Sequence, residues 1–416
     1  MKVGLFLKNY RPEIGGGATF ESEVLQSLIQ YGGDCRHNFI ILSWRKEIEQ
    51  VLSGTKIQFL PLQQSYIQNN FPQRWQRKLV ITANNLCQKI NLNIKFPEKN
   101  LVEKLIIDSG IEIIWYLELG TYNYPTVELP YITTVWDLEH RNHPYFPEVS
   151  AAGKWEKREK SYSHKIQRAA VIITGTQAGK AEIERFYQVV PKNIKVLPYP
   201  TPSFALNAEN NHSKNVLSKF NISQKYLFYP AQFWPHKNHA GLLLALKLLR
   251  EQYGIIFPVV FTGADKGNLE YIKQLVVELN LNNQVHFLGF VSQSDLIALY
   301  RYAFALTFVT FFGPDNLPPL EAFALGCPVI ASNVAGAQEQ LKDAALLVDP
   351  RDEKQIALAI KSLHDSPKLR SSLVEKGLKQ ARQWTGKDYI QRILAILDEL
   401  ESIRRCWNRE KLFYQK

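Results

Sequence analysis

Short apolar runs rich in β-branched and aromatic residues alternate along the chain with stretches whose apolar positions recur every three or four residues. The first pattern marks strands and the second amphipathic helices, so the alternation predicts an α/β protein with parallel sheets covered by helices. In the first half the expected strands are Val3 to Leu7, Phe39 to Ser43, Ile57 to Leu60, Ile111 to Leu117, Tyr131 to Val135, Val171 to Thr174 and Ile194 to Leu197. An expected helix over Ala18 to Gln30 aligns Phe20, Val24, Leu28 and Tyr31 on one face.

The alternation stops at Pro198, Pro200 and Pro202 and the polar run Asn207 to Lys214, which reads as an interdomain linker. A second unit follows, with strands expected over Tyr226 to Tyr229, Val259 to Thr262, Val285 to Leu288, Ala305 to Val309, Pro328 to Ala331 and Ala345 to Val348. The expected layout is a first domain over residues 1–200 and a second over residues 215–387. A last helix, from about Lys387 to Arg405, follows a break at Trp384, Thr385 and Gly386, and residues 388–416 are expected to cross back to the first domain. A chain of 416 residues fits that division, since one core ordinarily serves about 100 to 200 residues.

Hydrophobic residues at 45% and charged residues at 21% exclude wholesale disorder. The opening apolar run meets Asn9, Arg11 and Pro12 before it is long enough for a signal-peptide core, and no stretch approaches the roughly 18 apolar residues of a membrane span. A cytosolic location is expected. Cys35, Cys87, Cys327 and Cys406 show no metal-ligand spacing, so reduced, mostly buried thiols and no metal site are expected.

A net charge of +11 suits nucleic acid, anionic membranes or phosphorylated ligands alike. Its distribution is more informative: no acidic residue stands between Glu49 and Glu98, where Phe71, Trp75 and Leu79 accompany Arg74, Arg77 and Lys78. Arg74, Trp75, Arg77 and Lys78 are therefore candidate contacts to an anionic membrane surface, the alternative being an exposed insertion with incidental charge. No nucleic-acid-reading module is recognisable, and no nucleic acid partner is expected. Neither a Walker loop nor a spaced-glycine dinucleotide fingerprint is present, which removes support for kinases, ATPases and ordinary dehydrogenases.

In open parallel sheets ligands sit beyond the carboxyl ends of the strands. After the first expected strand, Gly15, Gly16 and Gly17 precede a helix; Gly16 and Gly17 can offer free amides to an anion, though a flexible turn has the same sequence. After the first strand of the second unit comes Gln232-Phe233-Trp234-Pro235-His236-Lys237-Asn238-His239. Lys237 stands where an ammonium can neutralise a diphosphate, at the start of a helix that Asn238 can cap; a solvated surface lysine is the bland alternative. Gly263, after the next strand, is placed on the same side.

A third segment runs from Phe311 through Gly313, Pro314, Asp315, Asn316, Leu317, Pro318 and Pro319 to Glu321. It reads as a loop turning into a helix near Pro318 with Glu321 in its first turn, where a carboxylate can accept from both hydroxyls of a vicinal diol or simply complement the helix dipole. Asn316 is read as available for hydrogen bonding, and the amides near Asn316 and Leu317 as donors. In a fourth segment, Trp136-Asp137-Leu138-Glu139-His140-Arg141-Asn142-His143, the clustered Asp, His and Arg can orient an acceptor hydroxyl and take its proton, Asp137 ranking first. His140 and His143 equally suit structural hydrogen bonds.

The second and third segments, with Gly326-Cys327-Pro328-Val329-Ile330-Ala331-Ser332 and Val348-Asp349-Pro350, closely resemble family 4 retaining glycosyltransferases, the "group 1" family. The resemblance is strong over roughly residues 225 to 350 and collinear but weaker before it. It implies the GT-B fold, two Rossmann-like doubly wound domains facing a central cleft, with the second binding a nucleotide-diphosphate sugar and the first an acceptor. Lys237 matches the diphosphate-binding lysine and Glu321 the glutamate that contacts ribose. Two positions depart from the pattern: Gly313 stands where most members carry a glutamate that touches the donor sugar, and Gln232 where many carry an arginine. Trp136 also replaces a histidine common in the family.

The resemblance implies metal-independent transfer of a sugar, with retention, from a nucleotide-diphosphate donor to a hydroxyl of a saccharide or lipid-linked acceptor, in polysaccharide or glycolipid synthesis. The departing phosphate would help take the acceptor proton, and no cofactor would be needed. The expected catalytic residues are Asp137, Lys237 and Glu321. Donor contacts are expected from Gly16, Gly17, Gln232, His236, Lys237, Gly263, Asn316, Leu317, Pro318 and Glu321, and acceptor contacts from His140, Arg141 and His143. The competing readings are a catalytically altered sugar-nucleotide-binding protein, suggested by Gly313 and Gln232, and an epimerase or phosphorylase of the same architecture.

Overall fold

A computed structural model describes residues 1–8, 15–62, 101–120, 129–209, 215–222 and 225–406. The candidate membrane contacts Arg74, Trp75, Arg77 and Lys78, and Cys87, lie outside the described residues.

Two wholly parallel sheets carry the chain. Strands β1 (Lys2–Phe6), β2 (Asn38–Ser43), β3 (Gln58–Pro61), β4 (Ile113–Tyr116), β5 (Tyr131–Thr134), β6 (Val171–Thr174) and β7 (Ile194–Val196) form the first, in the order β3-β2-β1-β4-β5-β6-β7. Strands β8 (Leu227–Pro230), β9 (Val259–Thr262), β10 (Val285–Phe287), β11 (Ala305–Phe308), β12 (Val329–Ser332) and β13 (Ala345–Val348) form the second, in the order β10-β9-β8-β11-β12-β13. Each expected strand appears within two residues of its expected ends. Both sheets reverse winding direction at one point, between β1 and β4 and between β8 and β11, and such switch points open the crevice in which doubly wound folds hold ligands.

The strands read as nearly continuous apolar runs because helices cover both faces. β4, β5, β6, β9, β11 and β12 are buried at every residue. Trp115, Tyr226, Tyr229 and Tyr300 are among the largest fully buried side chains. In the helix Gly16–Tyr31, Phe20, Val24 and Leu28 are buried as the periodicity requires, whereas Tyr31, at the last turn, is 37% exposed.

The helix Gly16–Tyr31 also receives the last helix, Gly386–Arg404. A capping box of Thr385 and Asp388 starts that helix after the preceding one ends at Ala381. Tyr389 meets Phe20 edge-on at 5.7 Å, while Asp398 pairs with Arg36 and Glu399 with Lys195. The redirection is fixed by Thr201, whose N–H donates to the Trp384 carbonyl, and by the Trp384 indole, which donates to the Pro198 carbonyl. The proline-rich segment is thus seated against the final helix's start. Of the described cysteines only Cys327 is buried; Cys35 is half-buried and Cys406 exposed, because Cys406 follows the last helix into solvent.

Candidate active site

The loops after β1, β5, β8, β9, β10 and β11 enclose one cavity of about 490 Å³ between the sheets. Gly16, Gly17, Trp136, Asp137 and Tyr199 line it from the first side, and Gln232, His236, Lys237, Gly263, Asn316, Leu317, Pro318 and Glu321 from the second. Lys237 and Glu321, 84 positions apart in sequence (321 − 237), face the same space because β8 and β11 are neighbours.

Lys237 ends a single turn, Pro235–Lys237, directly before the helix His239–Tyr253. Asn238 joins the two in the left-handed region, φ 53°; its side chain accepts from Gly241 N–H at 3.1 Å and donates to the Val309 and Pro350 carbonyls. The helix cap is also a clamp between β8, β11 and the loop after β13. Tyr229 and Thr310 hydroxyls hold the Lys237 and His236 carbonyls, and His239 is stacked between Tyr229 and Phe233. The Lys237 ammonium lies 5.0 Å from the Phe308 ring centre, and no carboxylate pairs with it among the described residues. Burial pulls its pKa down to about 8, against the opposing pull of Asp137 and Glu148.

Glu321 is the fifth residue of the helix Leu317–Ala324, not part of its first turn. Pro318 and Pro319 occupy that turn, and the glutamate is carried inward, where its side chain accepts the Tyr300 hydroxyl at 2.7 Å. Burial raises its pKa to about 7, opposed by the Tyr300 hydrogen bond. A pairing with the helix dipole does not account for that placement.

The Gly313 loop is specified by its backbone. Gly313 has φ 124°, and a Cβ there would stand 2.8 Å from the Asn316 side-chain oxygen. One N–H of the Asn316 side-chain amide donates to the Gly313 carbonyl at 2.7 Å, and the Asn316 backbone N–H donates to Gln340. The two prolines have no N–H, which leaves Leu317 N–H as the donor of that helix start with no partner among the described residues. On the opposite wall Gly15, φ 90°, turns the chain so that Gly16 and Gly17 begin a helix at the cavity. Gly263 has φ 138° and its Cβ would collide with the Ala231 carbonyl, so the wall there is bare backbone.

Asp137 is held by Arg158 at 2.8 Å and by Glu139 N–H at 3.0 Å. Burial alone would raise its pKa, but Arg158 prevails and keeps it below the usual carboxylate value. The three residues expected to meet an acceptor do not line the cavity. His140 is fully buried, bonded to Glu159 and near the Tyr187 hydroxyl, with its pKa lowered to about 4 first by burial and then by Arg158. Arg141 forks onto Glu159 and lies over Trp155 and Tyr187. His143 bonds to Glu139 and stacks on Phe312 of the other side at 5.6 Å. The helix that begins at Glu139 turns His140 and Arg141 onto Glu159 of the helix Lys154–Arg168, whereas His143 packs across to Phe312.

Three groups at the cleft were not signalled by the sequence. Glu148 accepts from both the backbone N–H and the imidazole Nδ1–H of His236, at 2.9 and 2.6 Å. Asp315, its pKa raised by burial to about 7, accepts from Tyr199 N–H at 2.8 Å. Glu339 accepts from Gln177 and Ala178 N–H at the start of the helix Gln177–Tyr187. Each joins one sheet's side to the other, and only three-dimensional proximity reveals the partner.

Paired Rossmann-like sheets of strand order 3-2-1-4-5-6, the first extended by a seventh strand, with a cavity between them are the GT-B architecture. Solved structures with that fold superpose on nearly the whole chain. A glycosyltransferase from Rickettsia africae covers 96% of this chain and 98% of its own at a TM-score of 0.68 and 16% identity. Anabaena HepE in complex with UDP-glucose covers 96% and 100% at 0.67 and 16%. Residues 213–380 match the family model for glycosyl transferases group 1. The O-antigen chain mannosyltransferase B of Escherichia coli is 28% identical over 270 residues, 64% of this chain and 70% of that protein. The chain has the GT-B fold, and its residues 213–380 are similar to the group 1 glycosyl transferases. No helix among the described residues is long and apolar enough to cross a membrane.

Proposed function

We propose that the chain transfers a hexose, with retention and without a metal, from a nucleotide-diphosphate sugar to a hydroxyl of a saccharide or lipid-linked acceptor in polysaccharide synthesis. The observation that carries this reading is the joint exposure of the Lys237 ammonium and the Glu321 carboxylate to one cavity. Lys237 would meet the diphosphate, with Leu317 N–H and the Gly16 and Gly17 amides as further donors around the departing charge. Glu321 would accept from the ribose hydroxyls. Asp137, kept ionised by Arg158, suits orientation of the acceptor hydroxyl better than uptake of its proton; the proton would leave with the donor phosphate.

The similarity to an O-antigen mannosyltransferase favours mannose as the sugar and a surface polysaccharide as the product class, while HepE, of the same fold, was captured in complex with UDP-glucose. A thermal-shift screen over GDP, UDP, GDP-mannose and UDP-glucose separates the donors, because a ligand selective for the native state raises Tm. Anomeric NMR of the product then reads retention. Donor binding without turnover on any acceptor would leave a sugar-nucleotide-binding protein in its place, and epimerised donor would overturn transfer altogether. A cytosolic location at the inner membrane face belongs to the same proposal. Liposome flotation that is unchanged by Arg74→Ala, Arg77→Ala and Lys78→Ala together removes the membrane contact.

A further inference from the structure

His236 adjoins Lys237 at the cavity wall, and its ring is flattened against Phe312 at 4.0 Å and 10°, next to the side-chain-free position Gly313. Its carbonyl is held by Phe311 N–H and the Thr310 hydroxyl, so neither ring nor backbone is free to turn. The partner of the ring comes from the other side of the cleft. Glu148, in the short helix Pro147–Ser150, has a side chain only 6% exposed and directs one oxygen at both His236 N–H and His236 Nδ1. Burial lowers the imidazole pKa, and His236 in turn keeps Glu148 an anion against the effect of burial. A carboxylate facing a neutral imidazole requires the proton on Nδ1, which leaves Nε2 with its lone pair. Among the described residues Nε2 has no protein partner, and it is not one of the buried unpartnered atoms. It is therefore an oriented acceptor at the cavity.

We propose that Glu148 is a positioning residue for the donor sugar: it reaches across the cleft to fix His236 as the Nδ1–H tautomer, so that Nε2 accepts a hydrogen bond from a hydroxyl of the transferred hexose. The inference rests on the nucleotide-sugar reading above and adds to it the group that senses the sugar as distinct from the nucleotide. It explains how a wall with glycine at 313, where φ 124° and the Asn316 amide exclude a side chain, still meets a hydroxylated ligand. It also ties sugar recognition to apposition of the two halves, since the dyad has one member on each.

The test compares GDP with GDP-mannose, and UDP with UDP-glucose, by isothermal titration on wild type, Glu148→Gln, Glu148→Ala, His236→Ala and the double variant Glu148→Ala/His236→Ala, with Tm measured alongside. The expected result is that each single variant binds the nucleoside diphosphate within about twofold of wild type but binds the nucleotide sugar about tenfold more weakly, with the double variant no worse than His236→Ala. Equal weakening of both ligands makes Glu148 only a latch between the halves and overturns the proposal, as does a wild type that gains nothing from the sugar, or additive losses in the double variant. A wild type that binds none of the four ligands instead fails at the level of the proposed function. Lys237→Ala, which should weaken both ligands of a pair alike, keeps the two failures distinct.

Discussion

Removing the Lys237 ammonium is the perturbation whose size the structure defines best. The group is half-buried, 5.0 Å from the Phe308 ring centre, and forms no ion pair among the described residues, so a diphosphate in the cavity meets a cation not already held in an ion pair. A hydrogen bond to a charged group contributes about 1.5–3 kcal/mol, which places the loss in nucleoside diphosphate affinity for Lys237→Ala at roughly ten- to 150-fold. The same ammonium makes binding depend on pH. With its pKa lowered to about 8 by burial, the free protein loses the proton as pH rises through that value. A diphosphate that binds the protonated form then weakens by about tenfold for each further pH unit. Lys237→Arg keeps its charge throughout and should flatten the profile. Titration calorimetry of GDP and UDP between about pH 7 and pH 9.5 reads both effects. Binding within about threefold of wild type in Lys237→Ala, or an identical alkaline slope in Lys237→Arg, refutes the argument that this lysine faces the phosphates.

Glu321→Gln should raise Tm at about pH 8 and have little effect at about pH 5: the folded pKa, about 7, lies above the ordinary 4.5, so the folded state binds the extra proton between those values and loses stability as pH rises through them. Differential scanning calorimetry checks this, and an equal shift at both pH values contradicts it. Arg141→Ala should lower Tm by several degrees through loss of the Glu159 fork and leave acceptor KM unchanged, the reverse of what an acceptor-binding arginine would show. Gly263→Ala should cost at least about 2 kcal/mol in urea unfolding, since it combines a left-handed φ with a collision against the Ala231 carbonyl; an unchanged midpoint contradicts the backbone account of that wall.

Periodicity alone located the strands, because parallel strands buried on both faces must be written as apolar runs and their ends need only turn residues. The strand-end rule likewise points to Gly16, Gly17, Lys237, Gly263 and the Gly313 loop, which line one cavity. It misread the segment after β5, where only Trp136 and Asp137 stay at the mouth; the turn at Leu138 sends His140 and Arg141 into a polar cluster with Glu159. Glu321 was placed in the right loop but the wrong turn, since two prolines extend the helix start by more residues than the loop pattern suggests. Glu148, Asp315 and Glu339 stayed hidden for a different reason. Each is a short acidic side chain whose partner, His236, Tyr199 or Gln177, comes from the other half of the chain. No local spacing encodes such a pair.

A crystal structure with a bound nucleoside diphosphate measures the central geometry directly. The account predicts the β-phosphate within hydrogen-bonding distance of Lys237 Nζ and both ribose hydroxyls at the Glu321 carboxylate, in a single orientation across the cavity. A nucleotide seated elsewhere, or one reversed so that its phosphates approach Glu321, contradicts it.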